Sequence, residues 1–300
     1  MTTRPPGSLD PKLCRRAAKS DCTLLLVGQT GVGKGHLARW LHAHSNRADR
    51  PLVPVNCGAI PEHLIDSQLF GHVKGAFTGA TNNHLGMIRA AQGGTLLLDE
   101  VSELPPSAQN RLLRLLQERE VQPVGHVTPI VVDVRVIAST NADLTERVAE
   151  KKFREDLLFR LDVIQLEVKP LIDRPGELPD LLDLFNHEFA ALYKQEPIRF
   201  QDRAYERLLH FQWPGNVRQL RTLVERLHVL CPDETISVEH LEDFGQLKKL
   251  PRPEDARRKL KDMKIEEVMR VIARSGGSIA RAAEVCGVHR STVYRWISRG

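Results

Sequence analysis

The stretch Gly28-Gln29-Thr30-Gly31-Val32-Gly33-Lys34 decides the fold, because it has the form G-x-x-x-x-G-K. It follows a short apolar run at 23–27, which is typical of a buried parallel strand, and precedes apolar residues at helical spacing over 37–44. Between a strand and a helix, such a loop turns backbone N–H groups toward phosphates, and Lys34 can reach the β and γ phosphates. The stretch predicts a nucleotide-binding loop. A tight glycine turn, the alternative, would not need Lys34.

A second motif, Gly93-Gly94-Thr95-Leu96-Leu97-Leu98-Asp99-Glu100, is an apolar strand that ends in two carboxylates, the Walker B arrangement. Asp99 would hold Mg²⁺ through water, and Glu100 would polarise an attacking water. An acidic cap on a strand end is the alternative. After Lys34 stands Gly35, where the general pattern places a Ser or Thr that ligates Mg²⁺. We therefore expect ATP and Mg²⁺ as cofactors, with the metal held by phosphate oxygens, water and Asp99.

Further strand-like runs at 52–55 and 131–138 alternate with helical segments up to about residue 168. This alternation predicts an α/β fold with a doubly wound parallel sheet. After Pro170 the pattern becomes helical, and prolines with several charges mark a linker near residue 250. The predicted domains are an α/β subdomain at 1–171, a helical lid at 172–246, a linker at 247–258 and a small helical unit at 259–300.

The charge is uneven along the chain. Residues 248–300 hold 14 Lys and Arg against 6 Asp and Glu, a net +8 within a chain of net +5. A basic tail on a near-neutral body predicts contact with nucleic acid or, less readily, a membrane surface. The odd number of scattered cysteines argues against a disulfide framework, and neither a secretory signal nor a long apolar run occurs. We expect a cytoplasmic protein without membrane contact.

A flexible loop is predicted where glycines flank a small tip at Phe77 and Thr78. The stretch reads Gly71-His72-Val73-Lys74-Gly75-Ala76-Phe77-Thr78-Gly79-Ala80. An exposed aromatic at a loop tip indicates a binding contact, whereas a buried hairpin is the alternative.

These strings together resemble the bacterial enhancer-binding proteins, AAA+ ATPases that activate sigma-54 RNA polymerase. The intact GAFTGA at 75–80 is that family's signature, and the resemblance runs from Arg16 to Gly300. It implies an AAA+ P-loop fold with a helical lid, and a moving loop that touches sigma-54. The residues implied in that contact are Gly75, Ala76, Phe77, Thr78, Gly79 and Ala80. A second insertion at 122–130 is expected to move beside that loop.

The resemblance also implies further nucleotide-site residues: Asn56 as a sensor of nucleotide state, Asn141 in sensor I, Arg154 and Arg160 as arginine fingers, and Arg218 in sensor II. The implied catalytic residues are Glu100, Asp99, Asn56, Asn141, Arg154 and Arg160. The implied ATP-binding residues are Gly28, Gln29, Thr30, Gly31, Val32, Gly33, Lys34, Gly35 and Arg218. Without the family resemblance, the sequence would predict surface salt bridges for Arg154 and Arg160.

Arg218 follows Asn216, a plausible N-cap, and a cation in a first helical turn opposes the helix dipole. It indicates either a bound anion or a tolerated surface charge. The chain also departs from the family pattern. Gly35 replaces the family's usual Glu, the segment before Thr23 is about one helical turn short, and the Arg-rich stretch after Pro170 is thinned at 171–177.

The C-terminal unit has the pattern of a helix-turn-helix, similar to the Fis-type unit of many enhancer-binding proteins. A tight turn at 286–288 separates two short amphipathic helices, and the second presents Arg290, Ser291, Thr292 and Arg295 outward. Such side chains read base edges or contact phosphates of double-stranded DNA. A small oligomerising bundle is the alternative, but the +8 tail argues against it.

The sequence therefore predicts an ATP-dependent transcription activator that binds an upstream, enhancer-like DNA site and remodels sigma-54 RNA polymerase as a homo-oligomeric ring, expected to be a hexamer. Because residues 1–20 are too short for a regulatory domain, we expect control by a partner protein in trans, by synthesis or by nucleotide level. The runner-up is a DNA-binding regulator with a decayed ATPase, supported only by Gly35. An AAA+ unfoldase or protease is disfavoured, since no protease domain or pore loop is evident.

Overall fold

The computed structural model describes residues 5–7, 9–232 and 235–243, so the predicted linker, the helix-turn-helix and its Arg290, Ser291, Thr292 and Arg295 lie outside the described residues. Contacts divide the chain into one unit at 1–236 and another at 237–300. In the part of the chain that is described, no helix is long and apolar enough to cross a membrane.

The described strands, in chain order, are β1 (Leu24–Val27), β2 (Leu52–Asn56), β3 (Thr95–Asp99), β4 (Glu120–Val121), β5 (Ile130–Val131), β6 (Arg135–Thr140), β7 (Ile164–Glu167), β8 (Arg199–Phe200) and β9 (Thr235–Ile236). The α-helices are α1 (Pro11–Lys19), α2 (Lys34–Ala43), α3 (Glu62–Phe70), α4 (Met87–Ala90), α5 (Pro106–Glu118), α6 (Leu144–Ala149), α7 (Glu155–Leu161), α8 (Leu178–Tyr193), α9 (Asp202–Leu209), α10 (Asn216–Leu230) and α11 (Val238–Asp243).

The main sheet has the order β2-β3-β6-β1-β7, and each neighbouring pair is parallel. Its side chains alternate between two apolar clusters. Leu24 and Leu26 point to the cluster that includes α1 and α2, whereas Leu25 points to the cluster of α3, α5 and α7. Alternation places successive strand residues on opposite faces, so both faces are covered. The predicted doubly wound α/β fold is confirmed.

One predicted strand is wrong in its bounds. The run 131–138 does not form one strand, because Val131 pairs back onto Glu120 in a separate hairpin and the sheet strand starts only at Arg135. Between them Asp133 faces outward and accepts a hydrogen bond from Arg47 at 2.8 Å. A charged side chain that needs water or an ion pair interrupts the apolar alternation at this point. The edge strand β7, whose only buried residue is Leu166, was not predicted.

The lid is helical as predicted, with α8, α9 and α10 at its centre. Asn186 on α8 anchors it, because its amide both donates to and accepts from the backbone of Ile198, each at 2.9 Å. Its oxygen also lies 2.9 Å from Nε2 of His228 on α10. The short parallel pair β8–β9 was not predicted, since two-residue strands carry no readable alternation.

Candidate nucleotide site

Each backbone carbonyl of the loop between β1 and α2, residues 28–33 and here called the P-loop, accepts a hydrogen bond from another group of the protein. Lys34 Nζ donates to the oxygens of Gly28 at 2.7 Å and Gln29 at 3.1 Å. The next oxygens are bound by residues that lie far along the chain. Asn216 Nδ2 donates to Thr30 O at 3.1 Å, the Arg218 amide donates to Gly31 O at 3.2 Å, and Arg174 Nη2 donates to Val32 O at 2.6 Å.

The carbonyls of Thr30, Gly31 and Val32 face residues from elsewhere in the chain, so the N–H groups of the same peptides point the other way, at the N-terminus of α2. That is the geometry of a phosphate cradle, in which amides and the helix dipole favour an anion. Gly31 is required here, because it has φ +79° and a Cβ would come within 2.4 Å of Gly215 O. The ammonium of Lys34 has three donors and uses two of them on carbonyls, which leaves one for a phosphate oxygen.

The N-terminal region of α10 corrects one expectation. Asn216 does not cap this helix, because the cap position is Gly215, which has no side chain to accept from the first-turn amides. Asn216 itself is 1% exposed and has φ +51°. Its side chain instead accepts from the Leu171 amide at 2.8 Å while donating to the P-loop. Arg218 lies in the first turn as expected, and it is exposed.

Charges surround Lys34, which is 9% exposed. Burial lowers the pKa of its ammonium, and the carboxylates of Asp99 and Glu100 oppose this shift, whereas Arg218 adds to it. The structure thus brings Lys34, Asp99, Glu100 and Arg218 within electrostatic range of one another. Charged side chains of the P-loop, of the Walker B strand end and of the lid therefore lie close to one another around Lys34.

Asp99 ends β3 and accepts a hydrogen bond from the Ser139 hydroxyl on the neighbouring strand β6. Glu100 follows in the left-handed region with φ +56°, a conformation that costs free energy and concentrates at functional sites. A Cβ on Gly58 would lie 2.6 Å from Glu100 Oε2 and 3.5 Å from Asn56 Oδ1, so the two side chains border the same space beside this glycine. The Asn56 oxygen accepts from the amides of Gly58 and Ala59.

Asn141 lies just beyond β6, and its Nδ2 donates to the Thr30 hydroxyl at 2.9 Å. It therefore contacts the P-loop directly. Cys57 is next to Asn56, but burial raises the pKa of its thiol to about 12, with Asp99 and Glu100 adding to the shift. The Cys57 sulfur is consequently a neutral packing group at neutral pH.

The residues present fit a magnesium ion. Asp99 supplies a carboxylate beside the P-loop, and Mg²⁺ prefers few carboxylates with several waters and phosphate oxygens. Gly35 supplies no hydroxyl, so this fit depends on Asp99. Packing does not require glycine at position 35, because a Cβ would meet only the Arg39 side chain, at 3.9 Å.

The segment around α7 treats its two arginines differently. Arg154 Nε and Nη2 donate to both oxygens of Asp156 at 2.9 and 2.7 Å, and Nη1 donates to Asn110. Hydrogen bonding from Arg154 lowers the pKa of Asp156, so this pair stays charged at neutral pH. Arg160, in contrast, is exposed and makes no hydrogen bond or ion pair with the described residues. The neighbouring Phe159 is 70% exposed.

The loop 71–86, here called the first insertion, leaves α3 and returns to α4. His72 pairs with His84 across its neck and bonds the Ser67 hydroxyl at 2.7 Å. The Phe77 ring is 42% exposed and meets the His72 ring edge-on at 5.0 Å. Thr78 at the tip is exposed.

The second insertion, residues 122–130, lies beside the first. The Val73 amide donates to Val124 O at 3.1 Å, and the Val124 amide donates to Gly71 O at 2.8 Å. The necks of the two insertions are therefore hydrogen-bonded to each other, and a shift of one displaces the other.

Sequence reasoning did not single out Arg174 or the side-chain role of Asn216. Arg174 is 4% exposed and also donates to Lys169 O at 3.0 Å and to Glu177 at 2.6 Å. It lies in the stretch 171–177, where the family's Arg-rich pattern is thinned. The arginine that remains there is a signal that the sequence offers, but nothing in the sequence shows that its side chain reaches Val32, which is 142 positions away.

Asn216→Asp tests the P-loop contacts. The carboxylate would still accept from Leu171 but would face Thr30 O without a donor, so we expect the Kd for a fluorescent ATP analogue to rise about tenfold. Asn186→Asp is the matched control, since it makes an equivalent loss inside the lid. Equal Kd values for Asn216→Asp and wild type would contradict this role of Asn216.

Gly35→Ala tests whether the glycine at position 35 indicates a decayed nucleotide site. Position 35 lies inside α2 and has room for a methyl group, so the variant should gain about 0.4–1 kcal/mol in the free energy of unfolding. Urea denaturation measures that gain, and Kd for ATP measured on the same samples should stay unchanged. A large loss of nucleotide affinity would show that the loop needs this glycine.

Family models match along the chain: the sigma-54 interaction domain at residues 10–167, the AAA+ ATPase lid domain at 173–257 and a homeodomain-like domain at 260–299. Among curated proteins, the alginate biosynthesis transcriptional regulatory protein AlgB of Pseudomonas putida is 40% identical, over 94% of this chain and 62% of AlgB. The transcriptional regulatory protein ZraR of Klebsiella oxytoca is 41% identical, over 94% of this chain and 64% of ZraR.

Among solved structures, NtrX from Brucella abortus in complex with ADP has a TM-score of 0.75 and 33% identity, over 96% of this chain and 66% of that one. The chain thus spans less than two thirds of these curated relatives. The AAA+ P-loop fold, the GAFTGA-bearing insertion and the match over 10–167 agree, and the chain belongs to the sigma-54 interaction domain family of AAA+ transcription activators.

Proposed function

We propose that this protein is an ATPase that uses the hydrolysis of ATP to remodel sigma-54 RNA polymerase for promoter opening. The observation that carries the proposal is the approach of Glu100 to Asn56 across Gly58. Asn56 ends β2, and the chain runs from it through the turn 57–59 and α3 directly into the first insertion. A change at the nucleotide site thus has a short covalent route to the GAFTGA tip.

In the proposed hydrolysis, the P-loop amides and Lys34 hold the phosphates, and Asn141 orients Thr30 beside them. Glu100 accepts the proton of the attacking water, for which its position beside Asn56 is suited. Bound Mg²⁺ would neutralise phosphate charge, and Asp99 would hold it through water. Asn56 would hold Glu100 in one nucleotide state and release it in another, so that hydrolysis is coupled to movement of α3.

The subunits are proposed to form a ring, expected to be a hexamer, in which Arg160 reaches the neighbour's γ-phosphate. The contrast with Arg154 supports this choice, because the Arg154 fork is already bound by Asp156 and Asn110 of its own subunit. Exposed Phe159 next to Arg160 is suited to bury its ring against a second copy. Arg154 would instead position the N-terminus of α7.

DNA binding is proposed for residues 259–300, with Arg290, Ser291, Thr292 and Arg295 toward an upstream site. The match to a homeodomain-like domain at 260–299 and the net +8 of residues 248–300 support this proposal. Contacts to phosphates would make the affinity fall as salt rises.

Arg160→Ala and Asp156→Asn separate the two arginines. Loss of an arginine finger lowers turnover by about 10³-fold or more, so Arg160→Ala should abolish steady-state ATPase activity. Asp156→Asn, which loosens only Arg154, should retain most of it. Mixing Arg160→Ala with Lys34→Ala subunits should restore part of the activity, since one interface then has both an intact finger and an intact P-loop. If Arg160→Ala hydrolysed ATP at the wild-type rate, the assignment to Arg160 would be wrong.

Thr78→Ala should separate hydrolysis from activation, because Thr78 is exposed at the loop tip and contacts none of the P-loop or Walker B residues. We expect near-normal ATPase activity, with loss of sigma-54 binding in ADP–aluminium fluoride and of promoter opening. Glu100→Gln is the reverse control, since it should bind ATP without hydrolysing it. Promoter opening by Thr78→Ala at the wild-type level would contradict the proposed function.

A further inference from the structure

We propose that Arg111 on α5 is a positioning residue that couples the nucleotide site to both insertions. This inference rests on the proposed function. This side chain contacts the roots of both insertions, and the helix that carries it is bonded at its other side to the segment after Glu100 and to the start of α7.

Arg111 contacts the root of each insertion. Its Nη1 donates to the carbonyl oxygen of Gln122, the first residue of the second insertion, at 2.9 Å. Its guanidinium carbon lies 5.7 Å from the ring centroid of Phe70, which is the last residue of α3 and directly precedes the first insertion. Its Nε is 3.7 Å from Asp66 Oδ2 on the same helix α3.

The opposite side of α5 is bonded to two segments that adjoin the nucleotide site. Gln109, which is 1% exposed, donates from Nε2 to Leu104 O at 2.8 Å, close after Glu100. Its Oε1 accepts from the Arg154 amide at 3.0 Å, at the start of α7. A displacement of the Walker B end or of α7 therefore moves α5, and Arg111 moves with it.

The contacts of Arg111 have room to change. Asp66 uses one oxygen at 3.7 Å, and its Oδ1 is buried without a hydrogen-bond partner among the described residues. A cavity of about 800 Å³ is lined by Asn110 and Arg114 of α5 and by Val127 and Pro129 of the second insertion. A closer ion pair would satisfy Asp66 and pull the second insertion along, so this contact supports two arrangements of α5 against α3.

The test compares Arg111→Met, Arg111→Lys and Arg114→Met in the full chain. Arg114 lies about one helical turn after Arg111 on α5 and is exposed. It makes no hydrogen bond or ion pair with the described residues, so Arg114→Met controls for loss of charge on α5. Each variant is measured for melting temperature, for kcat and KM of ATP hydrolysis, for sigma-54 affinity in ADP–aluminium fluoride and for promoter opening.

For Arg111→Met we expect kcat and KM close to wild type, with sigma-54 affinity and opening reduced about two- to thirtyfold, the range of single-residue effects on coupling. Arg111→Lys should recover part of the loss, because an ammonium can still pair with Asp66 and lie over Phe70. Arg114→Met should behave as wild type. If Arg111→Met does not fold, Asp66→Asn, which removes only the charge, should show the same loss to a smaller degree.

Full sigma-54 affinity and opening in Arg111→Met would overturn the inference, and so would an equal loss in Arg114→Met or a parallel fall in ATPase activity. Should Asp66→Asn be the variant measured, wild-type opening would overturn it as well. Failure of the wild-type chain itself to bind sigma-54 would instead refute the proposed function, so the two failures are distinguishable.

Discussion

The carbonyl oxygens of the P-loop are held on the protein side, and the rest of the site depends on this constraint. Lys34 binds the oxygens of Gly28 and Gln29, while Asn216, Arg218 and Arg174 bind the next three oxygens in turn. A peptide group cannot turn its N–H toward a phosphate unless its C=O is satisfied elsewhere, since an unpaired buried carbonyl is costly. The phosphate cradle is therefore built jointly by the loop and by residues from beyond β7.

This joint construction links nucleotide binding to the lid. Asn216 and Arg218 belong to α10, so a rotation of the lid would pull on Thr30 and Gly31 directly. At the carboxyl ends of β2 and β3, Glu100 and Asn56 lie beside Gly58, and Gln109 ties α5 to the segment after Glu100. The nucleotide site thus has one route to the lid and two routes to the insertions, through α3 and through Arg111.

Local patterns predicted the P-loop and the Walker B strand, because each lies within a few consecutive residues, and the alternation of strands with helices predicted the parallel sheet. The strand β7 was not predicted, because only Leu166 in it is buried. The run 131–138 looked like one continuous strand, but Asp133 interrupts it by facing outward to Arg47. Arg174 and Asn216 act across 142 and 186 positions, a distance over which spacing carries no information. The helical pattern made Asn216 look like a cap, whereas tertiary contact gave its side chain to Leu171 and the P-loop.

A crystal structure of this chain with ADP tests the central claim most directly. We expect a β-phosphate within hydrogen-bond distance of the amides of Gly31, Val32 and Gly33, with the contacts of Asn216, Arg218 and Arg174 to the loop carbonyls retained. A phosphate bound elsewhere, or a loop whose carbonyls leave these donors when ADP binds, would contradict it.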